Sequence, residues 1–290
     1  MPDVRYEAPR SIDQAVSLLH ADPGAAILAG GTDLLIQCRT GAKRPTAFID
    51  VKHIPQLIGI TLDDRWLHIG AAACAADITG HRDVKRLWPG IVDAVRLIGS
   101  TQIQGRGTVG GNLCNASPAA DATCALIVNG AICVIAGLRR ERLVPVEEFC
   151  IAPGKTVLER DEILVELRIA RPAARTADAY LRLIPRSEMD IAVAGAGVSV
   201  TLDVDGVCTA ARVAVAAVAP TCRLVPEAAA AVIGSPMDAE ALGRARAAAS
   251  AAARPIDDKR GTVSYRRRVA GVLTSRALAI AAARAKERQH

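Results

Sequence analysis

Thr108-Val109-Gly110-Gly111-Asn112-Leu113-Cys114-Asn115-Ala116-Ser117-Pro118-Ala119-Ala120-Asp121 decides how this chain is read, together with Leu28-Ala29-Gly30-Gly31-Thr32-Asp33-Leu34-Leu35 about eighty residues before it. Each stretch sets a glycine pair beside small hydroxyl or amide residues. Without a Cβ the backbone can approach a ligand closely, and successive N–H groups can be aimed at an anion. Two such loops could hold the two ends of a pyrophosphate, although a glycine pair taken alone reads equally well as a plain turn.

Gly105-Arg106-Gly107-Thr108-Val109-Gly110 also matches G-x-G-x-x-G letter for letter. A doubly wound dinucleotide site needs a strand immediately before that motif and a helix opening immediately after it. Here Ile91, Val92, Val95 and Ile98 recur at helical spacing and predict a helix running into Gly99-Ser100. Gly111, Asn112 and Pro118 argue against a long helix directly after the motif, so the context speaks against that site.

Composition narrows the remaining classes. The chain has 290 residues, 51% hydrophobic, 23% charged and 2% aromatic, a globular profile that favours two domains. A formal net charge of +6 raises nucleic acid as a partner. The densest basic cluster, Arg266-Arg267-Arg268, lies in an apolar-periodic segment with no interleaved aromatics for base stacking, so no nucleic-acid partner is expected. Cys38, Cys74, Cys114, Cys124, Cys133, Cys150, Cys208 and Cys222 show no tight ligand spacing and read mostly as small buried hydrophobes. Met1 to Arg5 holds no apolar leader core, and no run of about 18 apolar residues could span a bilayer. A reducing cytoplasm is expected.

Along the chain, Ser11-Ile12-Asp13-Gln14 predicts a reciprocal capping box opening a helix through His20. Residues 25–28, 47–51 and 67–71 predict strands, with Asp63-Asp64 at a turn, so the first glycine loop sits at a strand end. Residues 127–135 and 143–146 carry strand character. Ile163, Val165, Leu167 and Ile169 alternate against Leu164, Glu166 and Arg168, predicting a half-buried strand. Residues 171–176 read as a linker. Beyond it, strands over 180–184, 191–202 and 209–218, with Asp203-Val204-Asp205-Gly206 as a hairpin turn, precede helices over 226–233, 237–253 and 264–283. The last helix is expected to present Val269, Val272, Leu273 and Ile280 on one face. This order predicts an α+β module with helices on one side of an antiparallel sheet.

The stretch from Thr108 to Asp121 closely resembles the flavin-binding signature of the molybdenum hydroxylase flavoproteins, and the first loop resembles their other signature. Arg186-Ser187-Glu188-Met189-Asp190-Ile191-Ala192 and Asp258-Lys259-Arg260-Gly261-Thr262-Val263-Ser264-Tyr265-Arg266-Arg267 are similar to later segments of the same family, in the same order. The resemblance implies a FAD-binding domain, residues 1–174, of the type shared with p-cresol methylhydroxylase and vanillyl-alcohol oxidase. That domain is built of two α+β subdomains with the cofactor between them. A C-terminal α+β domain, residues 175–290, would follow with an antiparallel sheet and helices.

Carried over by position, Ile27, Leu28, Ala29, Gly30, Gly31, Thr32, Asp33 and Leu34 would form the first pyrophosphate loop, and Thr108, Val109, Gly110, Gly111 and Asn112 the second. Asp121, with Ser117 beside it, would hydrogen-bond the cofactor; read from the residues alone, Asp121 is also a helix cap. Leu164 and Ile98 would pack on the flavin, with ordinary core packing as the alternative for Leu164. Arg182 stands where some members carry a lysine near the flavin ring. Arg186 and Asp190 would lie close to the ring, or else form a surface pair.

By the same resemblance FAD would be noncovalent, because no histidine-linked attachment motif is present. Molybdopterin and [2Fe–2S] clusters would belong to a large and a small partner subunit, in a dimer of heterotrimers. Electrons would arrive from the clusters and leave to NAD⁺, oxygen or a quinone. A stand-alone FAD oxidoreductase of the same fold, and an assembly subunit that has lost FAD, are the alternatives. A β-branched residue at Gly31 or Gly110 is expected to abolish flavin retention while leaving the chain folded.

Overall fold

Ser11 accepts a hydrogen bond from the Gln14 amide at 3.2 Å and so opens the helix Ile12–Ala21. The Gln14 side chain reaches back to the Arg10 amide and not to that of Ser11, so the box closes one residue earlier than predicted. The computed structural model describes residues 4–288; residues 1–3, on which the expectation of no apolar leader core partly rests, lie outside the described residues. Ala15, Val16 and Leu19 of this helix pack on a three-stranded parallel sheet, with Ala47–Asp50 between Arg5–Glu7 and Ala26–Leu28. The first glycine loop leaves the end of Ala26–Leu28.

A second, antiparallel sheet follows in the order Ile60–Leu62, Trp66–Gly70, Ile163–Ala170, Ile132–Ala136, Glu141–Pro145. Its middle strand, Ile163–Ala170, is not half-buried as the alternation predicts. A register shift between Leu164 and Glu166 inserts one residue against Ile132–Ala136. Such a bulge reverses the side-chain phase, so Ile163 and Val165 join the core under the three-stranded sheet while Leu164, Leu167 and Ile169 join the core on the opposite face.

The strand predicted from residue 127 begins at Ile132, because residues up to Val128 belong to the helix Asp121–Val128. All eight residues of that helix are buried. A helix apolar all round shows no stripe, and a short buried run cannot be assigned to helix or strand by periodicity.

The chain then crosses to a four-stranded antiparallel sheet, Thr176–Leu183, Ala194–Leu202, Cys208–Ala216 and Arg223–Leu224. The turn at 203–206 forms as predicted, with Gly206 at φ +82 and the Asp203 carboxylate accepting from the Asp205 and Val207 amides. One face of the sheet carries the long helix Val263–Glu287, on which Ala239–Ala252 packs. The helix buries Ala270, Gly271, Leu273, Thr274, Ala277, Leu278 and Ala281, whereas Val269, Val272 and Ile280 are only half-buried. Small residues win that face because the two helices approach closely: a Cβ on Gly271 would stand 2.3 Å from Ser250 Oγ. The sheet's other face is covered by Pro89–Val95 and Asp121–Val128 from the preceding half, so helices flank it on both sides.

Among the described residues no helix is long and apolar enough to cross a membrane, and no cluster of His, Cys, Asp and Glu could hold a metal. All eight cysteines are free thiols; Cys124, Cys133, Cys208 and Cys222 are buried and the other four half-buried.

Candidate functional site

Both glycine loops open on one cavity of about 510 Å³ between the two N-terminal sheets. Ile27, Ala29, Gly30, Gly31, Thr32, Asp33 and Leu34 line it from the first loop, and Thr108, Gly110, Gly111 and Asn112 from the second. Ile98 and Leu164 complete the set of sequence-chosen residues on its wall. Leu28, Val109, Ser117, Asp121 and Arg182 are not among the lining residues. Leu28 instead lies beneath Gly31, and Val109 is buried in the core.

The glycines serve first to bring backbones together. A Cβ on Gly30 would stand 2.0 Å from Arg106 O, so the two loops touch main chain to main chain. A Cβ on Gly110 would stand 2.3 Å from Ala71 O, where the second loop presses on the turn after Trp66–Gly70; Ala75 N–H donates to Gly107 O at 2.8 Å in the same place. Gly31 adopts φ +75, the left-handed region, and a Cβ there would lie 3.1 Å from Leu28 Cδ1. The expectation that Gly110 could take a branched side chain without harm to the fold is therefore corrected: the space is occupied by protein.

Both loops carry backbone donors without a partner in the described chain. Among the described residues no acceptor within the chain engages the N–H groups of Gly31, Thr32 and Asp33, or those of Val109 and Gly110. Thr108 caps the short helix Val109–Cys114, its hydroxyl accepting from Gly111 N–H at 3.0 Å, which leaves the hydroxyl proton to donate elsewhere. Asn112 Oδ1 is buried without a partner, and an orphaned buried acceptor on a cavity wall calls for a ligand donor. Gln37 donates to Asn115 Oδ1 at 3.0 Å and Asn115 to Asp33 Oδ1 at 3.4 Å, tying the segments after the two loops together. Burial pushes the Asp33 carboxyl up and Lys43 opposes the shift. Gln37, Lys43, Arg44 and Asn115 also line the cavity and were missed by the sequence reading. Asn115 lay inside the decisive stretch, but Lys43 and Arg44 precede a proline in a loop and carry no pattern.

Asp121 is the first residue of its helix and does not cap it; Ala120 holds the cap position without a side-chain bond. One Asp121 oxygen accepts from Tyr180 Oη at 2.7 Å and the other from Arg182, both on the first strand of the C-terminal sheet. Burial pushes the Asp121 carboxyl up to about 6 against the pull of Arg182 and Tyr180. Arg182 keeps a buried Nε without a partner. Arg186 and Asp190 pair at 3.3 Å in an exposed loop, and Arg260 lies 4.0 Å from the same carboxylate.

Residues 2–172 match the family model described as FAD binding domain in molybdopterin dehydrogenase, and residues 179–281 that described as CO dehydrogenase flavoprotein C-terminal domain. The nicotinate dehydrogenase FAD-subunit of Eubacterium barkeri is 35% identical over 214 residues, 72% of each chain. The carbon monoxide dehydrogenase medium chain of Hydrogenophaga pseudoflava is 33% identical over 284 residues, 98% of each. A solved structure of carbon monoxide dehydrogenase from that organism, lacking the Mo-pyranopterin moiety of its cofactor, superposes with a TM-score of 0.93 at 34% identity and 98% coverage of both chains.

Proposed function

Because the chain belongs to the FAD-binding flavoprotein subunits of the molybdopterin dehydrogenases, a family of oxidoreductases, we propose that it is the electron-transferring medium subunit of such a complex. In that reading it is cytoplasmic, residues 1–174 form the FAD domain and residues 175–290 the second domain. Its partners are a large molybdopterin subunit and a small [2Fe–2S] subunit, assembled as a dimer of heterotrimers.

The observation that carries the cofactor's place is the convergence of both glycine loops on one cavity of about 510 Å³, within the roughly 300–1,000 Å³ common for cofactor sites. The residues present fit the group: free amides from two loops suit a diphosphate, the Asn112 acceptor lacks a partner, and Ile98 and Leu164 offer apolar wall for a ring. Bound there, FAD would supply the redox chemistry between partner clusters and an acceptor such as NAD⁺, oxygen or a quinone. The chain's own residues bind and orient. Amides of residues 31–33 and 109–110 would neutralise the diphosphate without committing charged side chains, and Thr108 would add a hydroxyl donor. Asp121 and Arg182, paired outside the cavity lining, would tie the helix after the second loop to the second domain.

The chain purified alone should retain FAD and turn over no hydroxylase substrate with any acceptor, and molybdenum- and [2Fe–2S]-containing partner subunits should restore turnover. Turnover by the chain alone would support a self-sufficient flavin oxidoreductase.

A further inference from the structure

Lys52 is not among the residues lining the cavity, yet its ammonium reaches the first loop from behind. Nζ donates to Ala29 O at 2.8 Å and to Asp50 Oδ1 at 2.6 Å. Asp50 ends the central strand Ala47–Asp50, in register with Leu28, the last strand residue before the loop. Only 5% exposed, its carboxylate also accepts from Tyr6 Oη at 2.6 Å and from Lys52 N–H at 3.0 Å. A carboxylate fixed by the sheet thus fixes an ammonium, and the ammonium fixes the carbonyl that precedes Gly30. Because the peptide unit is planar and trans, holding the Ala29 C=O in one direction turns the Gly30 N–H in the opposite one. Charge-assisted bonds of this kind are shorter and stronger than neutral ones.

We propose that Lys52, oriented by Asp50 and Tyr6, is a positioning residue that presets the Gly30 amide, which has no acceptor among the described residues, and with it the entry to the first glycine loop, for the cofactor's diphosphate. The inference rests on the reading of the cavity as the FAD site. It assigns a role in affinity to a lysine outside that site, acting through the loop's backbone.

The test titrates apo forms of the wild type, Lys52→Met and Asp50→Asn with FAD and with riboflavin, which lacks the diphosphate, following flavin fluorescence. Amide hydrogen exchange is measured in parallel on the apo proteins. Lys52→Met keeps the aliphatic stem and should weaken FAD by roughly ten- to a hundredfold, the loss of one hydrogen bond from a charged group. Its riboflavin affinity should equal that of the wild type, and exchange should quicken in the peptide covering residues 28–35 and not elsewhere. Asp50→Asn should change FAD affinity in the same direction and less. FAD affinity unchanged in Lys52→Met, equal weakening of both flavins, or faster exchange throughout the chain would overturn the inference. A wild type that binds no FAD would fail earlier, at the cofactor reading itself.

Discussion

Gly30 and Gly110 are held to glycine by neighbouring main chain, and Gly31 by its own conformation. Gly30→Ala and Gly110→Ala should each lower the stability of the apo protein by about 1–3 kcal/mol or more, because the added methyl meets backbone that cannot swing aside. Gly31→Ala should cost roughly 1–2 kcal/mol through its left-handed φ. Chemical denaturation of the flavin-free variants checks this, and full stability in Gly110→Ala would show that the turn at Ala71 yields. Asp121 gives a second residue-level expectation, with a definite sign. Its folded value of about 6 lies above the ordinary 3.8, so the folded chain holds that proton more tightly. Its contribution to stability is complete below 3.8 and is lost as pH rises through about 6. Relative to Asp121→Asn, the wild type should therefore lose stability between about pH 4 and pH 6, measured by urea unfolding across that range. A difference that stays flat with pH would mean that Arg182 keeps the carboxylate ionised throughout. These two sites also mark what the sequence could tell: the need for glycine was legible at both loops, but the atoms that demand it belong to distant residues.

At the scale of elements, the C-terminal helix ties the two halves of the chain. Arg284 donates to Asp93 Oδ2 at 2.7 Å and to Asp178 O at 2.8 Å, bridging Pro89–Val95 and Thr176–Leu183. Arg288 donates to Leu87 O and Thr176 O. Arg284→Met should cost about 1–3 kcal/mol, as expected when bonds to a charged group are lost, and should speed proteolysis of the crossing segment between Ala170 and Thr176. Unchanged cleavage would show that the shared apolar core alone holds the halves together. Several elements were readable from their own residues, among them the first helix with its serine cap and the hairpin at 203–206. Others depended on partners the sequence does not display. The bulge after Leu164 arises from pairing with Ile132–Ala136, and it reverses which residues face which core. The helix Asp121–Val128 is buried on every side because a sheet from the other half covers it. Alanines and a glycine, with Leu273 and Leu278, seat the last helix in place of Val269, Val272 and Ile280, because a second helix crosses it closely.

Over the whole molecule, two N-terminal sheets place one cavity where the two glycine loops meet, and a C-terminal module braces the helices beside it. The motif order along the chain carried the family and the architecture, since both depend on segments kept in sequence. The interior of the site was legible only in part. Backbone amides at glycines declare themselves, whereas Gln37, Lys43 and Arg44 enter through tertiary placement that leaves no periodic trace. The central claim is that this cavity holds FAD without a covalent bond. The most direct test is a titration of the flavin-free chain with FAD by absorbance, followed by acid precipitation and chromatography of the released flavin. One FAD per chain, recovered unmodified in the acid supernatant, is the predicted result. No binding even at high FAD, or flavin that stays with the precipitated protein, would contradict it.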